Sequence, residues 1–278
     1  MSPGCSVAIL WAGAALAMTA GWAWQVRREN AGIVDLIWTG GIGAAAVWYA
    51  AVLDGAALPR ALVALLGALW SLRLAAHLAP RVLNGAEDGR YHQLRLHWRG
   101  HQRKMVGMFQ FQALLIVLFS LPFLAVARNP RADLTPWMVA GIAVWVGSVC
   151  GEALADRELA RFRADPANRG RTCRAGLWRY SRHPNYFFEW LGWLAWPIIA
   201  IDLGEAWPWG WLALTGPALM FLILRFASGV PPTEAAMARS RGEAFGRYQA
   251  RVSVFFPLPP KPKPHKTGPA PTPASGGA

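Results

Sequence analysis

The side chains best suited to chemistry are concentrated in residues 176–192, which read GLWRYSRHPNYFFEWLG. Pro184 fixes its own φ and disfavours a helical conformation at His183, so we expect an extended turn there and a helix that starts near Asn185. The free N–H groups and positive potential of a helix start suit an anion, as do neighbouring arginines. The candidate binding residues in this stretch are Arg179, Tyr180, Arg182, His183, Asn185 and Tyr186.

A plainer interpretation of the same stretch is a basic turn beside a membrane that only sets topology. Asn185 and Tyr186 add hydrogen-bonding groups that topology does not need. Glu189 is a carboxylate about one turn inside the apolar run that follows. These features favour a binding role.

Two further candidates lie in apolar segments. Asp35 stands at the head of one such segment, where a carboxylate either caps a helix or, if it faces a cavity, donates a proton. Arg73 lies within another, where a guanidinium is costly and normally faces an interior site or partner. The alternative for Arg73 is that its long side chain reaches the membrane surface.

Charged residues at the end of another segment share one helical face. Glu152, Asp156 and Arg163 follow at spacings of about one or two turns. Surface ion pairing is the ordinary explanation. The order of charges also fits a bound molecule that has an uncharged amide-bearing end near the membrane and a polyphosphate end farther out.

The loop at 80–106 contains His92, His97 and His101, but no HExxH motif and no carboxylate after Asp88. We therefore expect a solvated basic loop or lid and no metal site. The three cysteines show no CxxC spacing, so neither a disulfide framework nor a zinc site is indicated.

The composition indicates a membrane protein that positions these residues on helices. The chain has 278 residues, of which 54% are hydrophobic and 15% charged, whereas soluble domains are about a quarter charged. Seven apolar stretches are long enough for a bilayer core of about 30 Å. They lie near 5–24, 33–53, 58–79, 107–127, 134–155, 186–203 and 207–227. The predicted fold is an all-α polytopic domain over 1–257, followed by a disordered proline-rich tail over 258–278.

The positive charge follows the predicted topology. With the N-terminus outside, 23 of the 28 lysines and arginines fall on the cytoplasmic side and three on the opposite side. This distribution predicts a cytoplasmic C-terminus. It also explains most of the net charge of +13, so no nucleic-acid partner is expected.

Five stretches together resemble the bacterial membrane family related to steroid 5α-reductases. They read NAGIVDLIW at 30–38, LWSLRLAAHL at 69–78, LARFRADPANRG at 159–170, GLWRYSRHPNYFFEW at 176–190 and RYQARVSVFFP at 247–257. The resemblance covers nearly the whole chain apart from the tail. The wider superfamily includes sterol reductases and isoprenylcysteine carboxyl methyltransferases, which share an RHPxY-like turn. Asn185 followed by Glu189 is more similar to the reductase branch.

The resemblance implies an enzyme of the bacterial inner membrane that uses NADPH from the cytoplasm to reduce the C=C bond of a 3-oxo-Δ4 steroid or similar lipophilic enone. It implies that Asp156 contacts the nicotinamide end, that Arg163 is a basic cofactor contact and that Asn185 lies in the cofactor pocket. The other cofactor-binding residues it implies are Arg73, Arg179, Tyr180, Arg182, His183, Tyr186, Arg225 and Tyr248.

The resemblance leaves more than one candidate for the acid that would polarise the enone carbonyl. The glutamate and tyrosine that do so in the animal enzymes have no clear equivalents here, and Trp70 stands where the tyrosine would be. Asp35 is the best positional substitute for the acid, with Glu189 or Tyr49 in reserve.

Two other functions remain open at this point. A membrane methyltransferase that uses S-adenosylmethionine on a lipophilic substrate would leave the arginine surplus explained only by topology. A transporter or sterol-binding protein would need no cofactor, although no internal repeat is visible. The expected partners are a lipophilic small molecule and membrane lipid, with no obligate protein partner.

Overall fold

The computed structural model describes residues 1–201 and 210–262, and in these ranges the chain forms helices and no β-strand. Residues 202–209 and 263–278 lie outside the described residues, and they include most of the predicted tail. The helices are α1 (Pro3–Arg28), α2 (Ile33–Val52), α3 (Ala57–Asn84), α4 (Gly89–His97), α5 (Gln102–Ala127), α6 (Pro136–Ala164), α7 (Pro184–Ile199), α8 (Thr215–Leu222) and α9 (Val230–Gln249).

Six helical runs among the described residues are long and apolar enough to cross a membrane. They are α1, α2, α3, α5, α6 and the run Gly210–Gln249, which includes α8 and α9. Helix α7 matches the predicted stretch at 186–203, but its 16 residues span about 24 Å, less than a hydrocarbon core of about 30 Å. The structure thus supports an all-α membrane protein with six spans, and the count of seven stays a prediction.

Helices α6 and α7 pack closely and antiparallel. A Cβ atom on Gly151 would lie 2.3 Å from the Phe188 ring, and one on Gly141 would lie 2.4 Å from Ile199. Because later residues of α7 contact earlier residues of α6, the two helices run in opposite directions. The absence of a side chain at these glycines lets the two backbones approach, which brings Glu152 and Glu189 to the same depth.

Several helix ends are tied together at one end of the bundle. The Gln25 amide of α1 donates to Gln102 of α5 at 3.1 Å, and Asn30 before α2 donates to the Val82 carbonyl of α3 at 3.0 Å. We call this end the basic face, because the arginines that follow α3 and α6 lie there. All the candidate polar sites described below lie at or towards this face, apart from Tyr49.

Candidate functional site

Three charged side chains from three helices meet inside the bundle. Arg73 of α3 donates through Nη2 to Glu152 of α6, and the same nitrogen lies 3.9 Å from Glu189 Oε2 of α7. The carboxylate side chains are each 12% exposed and Arg73 is 27% exposed. We call these three residues the inner cluster. The predicted interior role of Arg73, with a charged partner, agrees with this contact.

Tryptophans surround the inner cluster. Glu189 accepts hydrogen bonds from Trp70 Nε1 at 3.1 Å and from Trp193 Nε1 at 3.0 Å. A narrow cavity of about 10 Å³ lies beside both glutamates, and its walls include Trp145 and Trp196. This volume is close to the minimum for one water molecule, so a larger ligand requires the helices to part.

Asp156 and Asn185 lie between the inner cluster and the basic face. Asp156 follows Glu152 by one turn of α6, and its Oδ1 accepts from Asn185 Nδ2 at 3.2 Å. Asn185 is in the first turn of α7, which begins at Pro184 with His183 as a non-helical N-cap residue at φ −138°. The extended turn and the helix start predicted from Pro184 are thus confirmed.

Farther along α6, a second cavity of about 120 Å³ opens at the basic face. No aspartate or glutamate is among the described residues that line it. Arg163 and Arg241 lie close enough for their positive charges to repel. We call this cavity the arginine pocket. The arginines that line it are Arg163, Arg169, Arg171, Arg182 and Arg241.

Two polar atoms at the arginine pocket are buried and have no hydrogen-bond partner among the described residues: Nε of Arg241 and Oγ1 of Thr172. Buried polar groups are normally paired, so these two indicate a missing partner such as a bound anion or water. Guanidinium groups bind phosphate oxygens through parallel hydrogen bonds. Burial raises the pKa of the Cys173 thiol in the same wall, so this side chain adds no negative charge.

Arg182 lines the arginine pocket but its guanidinium is already engaged. Its Nε donates to Glu234 Oε1 at 2.7 Å, and its Nη1 donates to the Val252 carbonyl at 2.6 Å. His183 Nε2 lies 3.1 Å from the same Glu234 oxygen, and its ring stacks on Tyr186 with centroids 5.1 Å apart. These side chains hold the turn in place and present few free polar atoms to a ligand.

The segment after α9 braces the turn from the other side. The Arg182 N–H donates to the Ser253 carbonyl at 2.8 Å, and Ser181 Oγ donates to the Phe255 carbonyl at 2.8 Å. The hydroxyl of Tyr248 donates to the Trp178 carbonyl at 2.5 Å, while Tyr248 also lines the arginine pocket. Tyr248 is therefore at the predicted site, although its polar atom is used internally.

Asp35 lies at the start of α2 beneath α4. It accepts from the Tyr91 hydroxyl at 2.5 Å and from Arg90 Nη2 at 3.1 Å. Burial, followed by the charge of Asp35, raises the pKa of Tyr91 well above its ordinary value, so the phenol keeps its proton. Glu87 accepts from the Ala31 N–H at 2.8 Å and pins α4 over this site, which agrees with the predicted lid.

Asp35 does not line either cavity, but aromatic rings connect its helix to the inner cluster. Trp38, one turn along α2, contacts Trp70 edge to face with centroids 6.1 Å apart, and Trp70 donates to Glu189. The indole nitrogen of Trp38 is buried and has no hydrogen-bond acceptor in the described ranges of the chain, so its N–H is unpaired there. A hydrogen-bond donor is thus available between the two acidic sites.

Four further predicted site residues, Tyr49, Arg179, Tyr180 and Arg225, lie at neither cavity and make no contact with the polar clusters described above. Tyr49 is 14 positions beyond Asp35, about 21 Å along the helix, where its hydroxyl lies 3.2 Å from Ser120 Oγ. Arg179 lies over the ring of Tyr180 at 5.9 Å, and both residues are exposed. Arg225 lies over the neighbouring Phe226 ring at 4.9 Å. The structure does not bring these side chains to either cavity.

The sequence analysis did not identify several residues of the site. The available signal was the density of arginines after α6, of which the sequence analysis assigned only Arg163, Arg179 and Arg182 to the cofactor. Within the described ranges, no group of three or more His, Cys, Asp or Glu side chains could hold a metal ion. The site residues not identified are Trp193, Arg169, Arg171, Thr172 and Arg241.

Comparison with known proteins gives a family and no nearer relative. Residues 21–252 match the family described as protein of unknown function DUF1295. No curated protein and no solved structure matches the chain. DUF1295 is the steroid 5α-reductase-like group, so the match supports the resemblance at the level of the family. Because the match covers most of its length, the chain belongs to the DUF1295 family.

Proposed function

We propose that the protein is a membrane-embedded, NADPH-dependent reductase of the C=C bond of a lipophilic enone such as a 3-oxo-Δ4 steroid. The observation that carries this proposal is the arrangement along one face of α6. Glu152 lies in the inner cluster, Asp156 follows beside Asn185, and Arg163 lines the arginine pocket. A molecule with a reactive apolar end and a phosphate end matches this order.

The donor set of the arginine pocket fits the phosphates of NADPH. Among the residues of 1–201 and 210–262, guanidinium groups line it without a carboxylate, and Arg241 Nε and Thr172 Oγ1 lack hydrogen-bond partners. Arg163, Arg169, Arg171 and Arg241 would hold the phosphates. Arg182 would shape the pocket, because its guanidinium is bound to Glu234 and two backbone carbonyls.

Asn185 and Asp156 would hold the nicotinamide amide, since together they offer an amide donor and carboxylate acceptors. When bound, NADPH supplies a hydride to the substrate. The walls of Trp70, Trp145 and Trp193 exclude water and strengthen the hydrogen bonds made to the substrate.

Asp35 and Tyr91 would act on the carbonyl oxygen of the enone. The raised pKa of Tyr91 keeps its phenol protonated, so the pair holds a proton at a hydroxyl that can donate to an oxygen. This assignment extends the predicted role of Asp35 to its partner. Arg90 compensates the charge of Asp35 from the other side.

The proposed topology places the N-terminus outside the cytoplasmic membrane of a bacterium and the basic face in the cytoplasm, where NADPH is available. The excess of arginines at the basic face supports it through the positive-inside rule. The lipophilic substrate would enter from the bilayer.

Ligand-induced stabilisation tests the proposal. The protein in detergent is titrated with NADPH, NADH and S-adenosylmethionine, and its melting temperature is recorded. We expect NADPH to raise the melting temperature, NADH to raise it less because it lacks the 2′-phosphate, and S-adenosylmethionine to leave it unchanged. Stabilisation by S-adenosylmethionine alone would favour a methyltransferase, and no stabilisation by any of the three would contradict an enzyme that uses these cofactors.

A further inference from the structure

The charges of the inner cluster do not balance if both glutamates are ionised. Arg73 is the guanidinium that contacts Glu152 and Glu189, and each glutamate side chain is only 12% exposed. Asp156, from the next turn of α6, adds a further negative charge near Arg73. Like charges repel strongly where water is largely excluded, so two adjacent carboxylates beside one cation favour keeping a proton between them.

The contacts of the two glutamates also support a shared proton. Trp70 and Trp193 both donate to Glu189, and the Arg73 Nη2 atom that donates to Glu152 lies only 3.9 Å from a Glu189 oxygen, so the two carboxyl groups are neighbours. A hydrogen bond between two carboxyl groups requires a proton on one of them. The geometry therefore accommodates one proton shared by the two side chains.

The same cluster borders the narrow cavity and has an unused donor. Both glutamates line the narrow cavity, together with the small residues Gly67, Ser148 and Gly192. Nε of Arg73 is buried and has no hydrogen-bond partner within the part of the chain that the structure describes. A water molecule or a substrate atom in this space would be within reach of the pair.

We propose that Glu152 and Glu189 share one proton at neutral pH and that this pair supplies the proton that the enone's α carbon receives. The second half rests on the proposed function. As hydride adds to the β carbon, the π electrons of the C=C bond move towards the carbonyl. The C=C electron pair of the resulting enolate then forms the C–H bond at the α carbon and the C=O bond is restored, while the O–H bond of the pair breaks and its electrons stay on the carboxylate.

A proton from water must then recharge the pair. Asp156 lies one turn from Glu152 towards the basic face and is partly exposed. Its carboxylate can therefore relay a proton from water to the cluster. Arg73 compensates part of the negative charge until the proton arrives. The site of Asp35 and Tyr91 lies beyond the Trp38 and Trp70 rings, so the glutamate pair is the acidic site that borders the tryptophan-walled cavity.

Infrared spectroscopy tests the shared proton without any cofactor. The full chain in detergent at neutral pH is compared in H₂O and D₂O, and the C=O band of protonated carboxyl groups is recorded. We expect a band that shifts on deuteration and is diminished in both Glu152→Gln and Glu189→Gln, because a single carboxylate beside Arg73 remains ionised. Glu243→Gln, whose side chain is 91% exposed and paired with Arg247, should leave the band unchanged. A band of wild-type size in both cluster variants, or no such band in the wild type, would overturn the shared proton.

The role in the reaction needs a second measurement. Glu189→Gln keeps the shape of the side chain, so we expect NADPH to stabilise it as it does the wild type while turnover falls about 100-fold or more. A smaller loss than tenfold would overturn the proton-donating role. If NADPH fails to stabilise even the wild type, the proposed function fails, and the infrared result still decides whether the pair holds a proton.

Discussion

The inner cluster and the arginine pocket both include residues of α6, but their charges are balanced differently. Glu152 and Arg163 are 11 positions apart on α6, about 16 Å. At the inner cluster one guanidinium faces two carboxylates, and tryptophan donors complete the site. At the arginine pocket several guanidiniums surround a cavity that no described carboxylate lines. The first site satisfies its charges within the protein, whereas the second needs an external anion.

Arg182 lies in the wall of the arginine pocket, but its charge is satisfied within the protein as in the inner cluster. It lines the arginine pocket, yet Glu234 and backbone carbonyls occupy its donors. The comparison teaches that an arginine in a cavity wall is a ligand-binding residue only where its donors are free. Substitutions that separate stability from binding should therefore distinguish these sites.

We expect the largest effect from Arg73→Gln. It removes the guanidinium that neutralises the inner cluster and leaves adjacent carboxylates without their cation. Removal of one partner from a buried ion pair typically costs about 3 to 5 kcal/mol, and the partial exposure of Arg73 places the expected loss at about 3 kcal/mol. The free energy of unfolding in a denaturant titration in detergent measures it.

The double variant Arg73→Gln with Glu152→Gln is the control for this effect. It removes the cation together with one carboxylate, so we expect it to recover part of the lost stability. Equal loss in the single and double variants would show that the size of the arginine side chain, and not its charge, stabilises the inner cluster.

Features that depend on local sequence could be predicted well. Pro184 alone placed the start of α7, and the spacing of Glu152, Asp156 and Arg163 placed them along one face of α6. Both depend on backbone geometry within a few residues. The charge of Arg73 within an apolar helix was sufficient to predict an interior partner.

Features that depend on distant contacts could not be predicted. The partners of Arg182 are 52 to 70 positions away, and nothing in the turn itself shows that α9 will supply a glutamate there. Tyr91 reaches Asp35 across 56 positions only because α4 folds back over α2. Tyr49 is a polar side chain in an apolar helix, like Arg73, but Ser120 satisfies it in the core.

An intermediate effect is expected from Arg182→Gln. The change breaks the ion pair with Glu234 and the hydrogen bonds to the Val252 and Gln249 carbonyls, which join the turn to α9 and the segment after it. Hydrogen bonds that involve a charged group contribute about 1.5 to 3 kcal/mol, so we expect a loss of about 2 kcal/mol in the free energy of unfolding. Glu234→Gln should cost a similar amount, and the double variant should cost less than the sum of the two. Full additivity would show that the pair does not stabilise the protein.

The smallest effect on stability, and a clear effect on binding, is expected from Arg241→Gln. Its guanidinium lines the arginine pocket, repels Arg163 and leaves Nε without a partner, so its removal should change the free energy of unfolding by no more than about 0.5 kcal/mol. Loss of a charged contact to phosphate should weaken NADPH binding about tenfold and reduce its dependence on salt concentration. Isothermal titration calorimetry at two salt concentrations measures both. Arg239→Gln removes the same charge from an exposed position two residues away and should leave binding unchanged. If Arg241→Gln destabilised the protein as much as Arg182→Gln and left NADPH binding intact, the arginine pocket would be a structural element like the inner cluster, because its charges would then be satisfied from within.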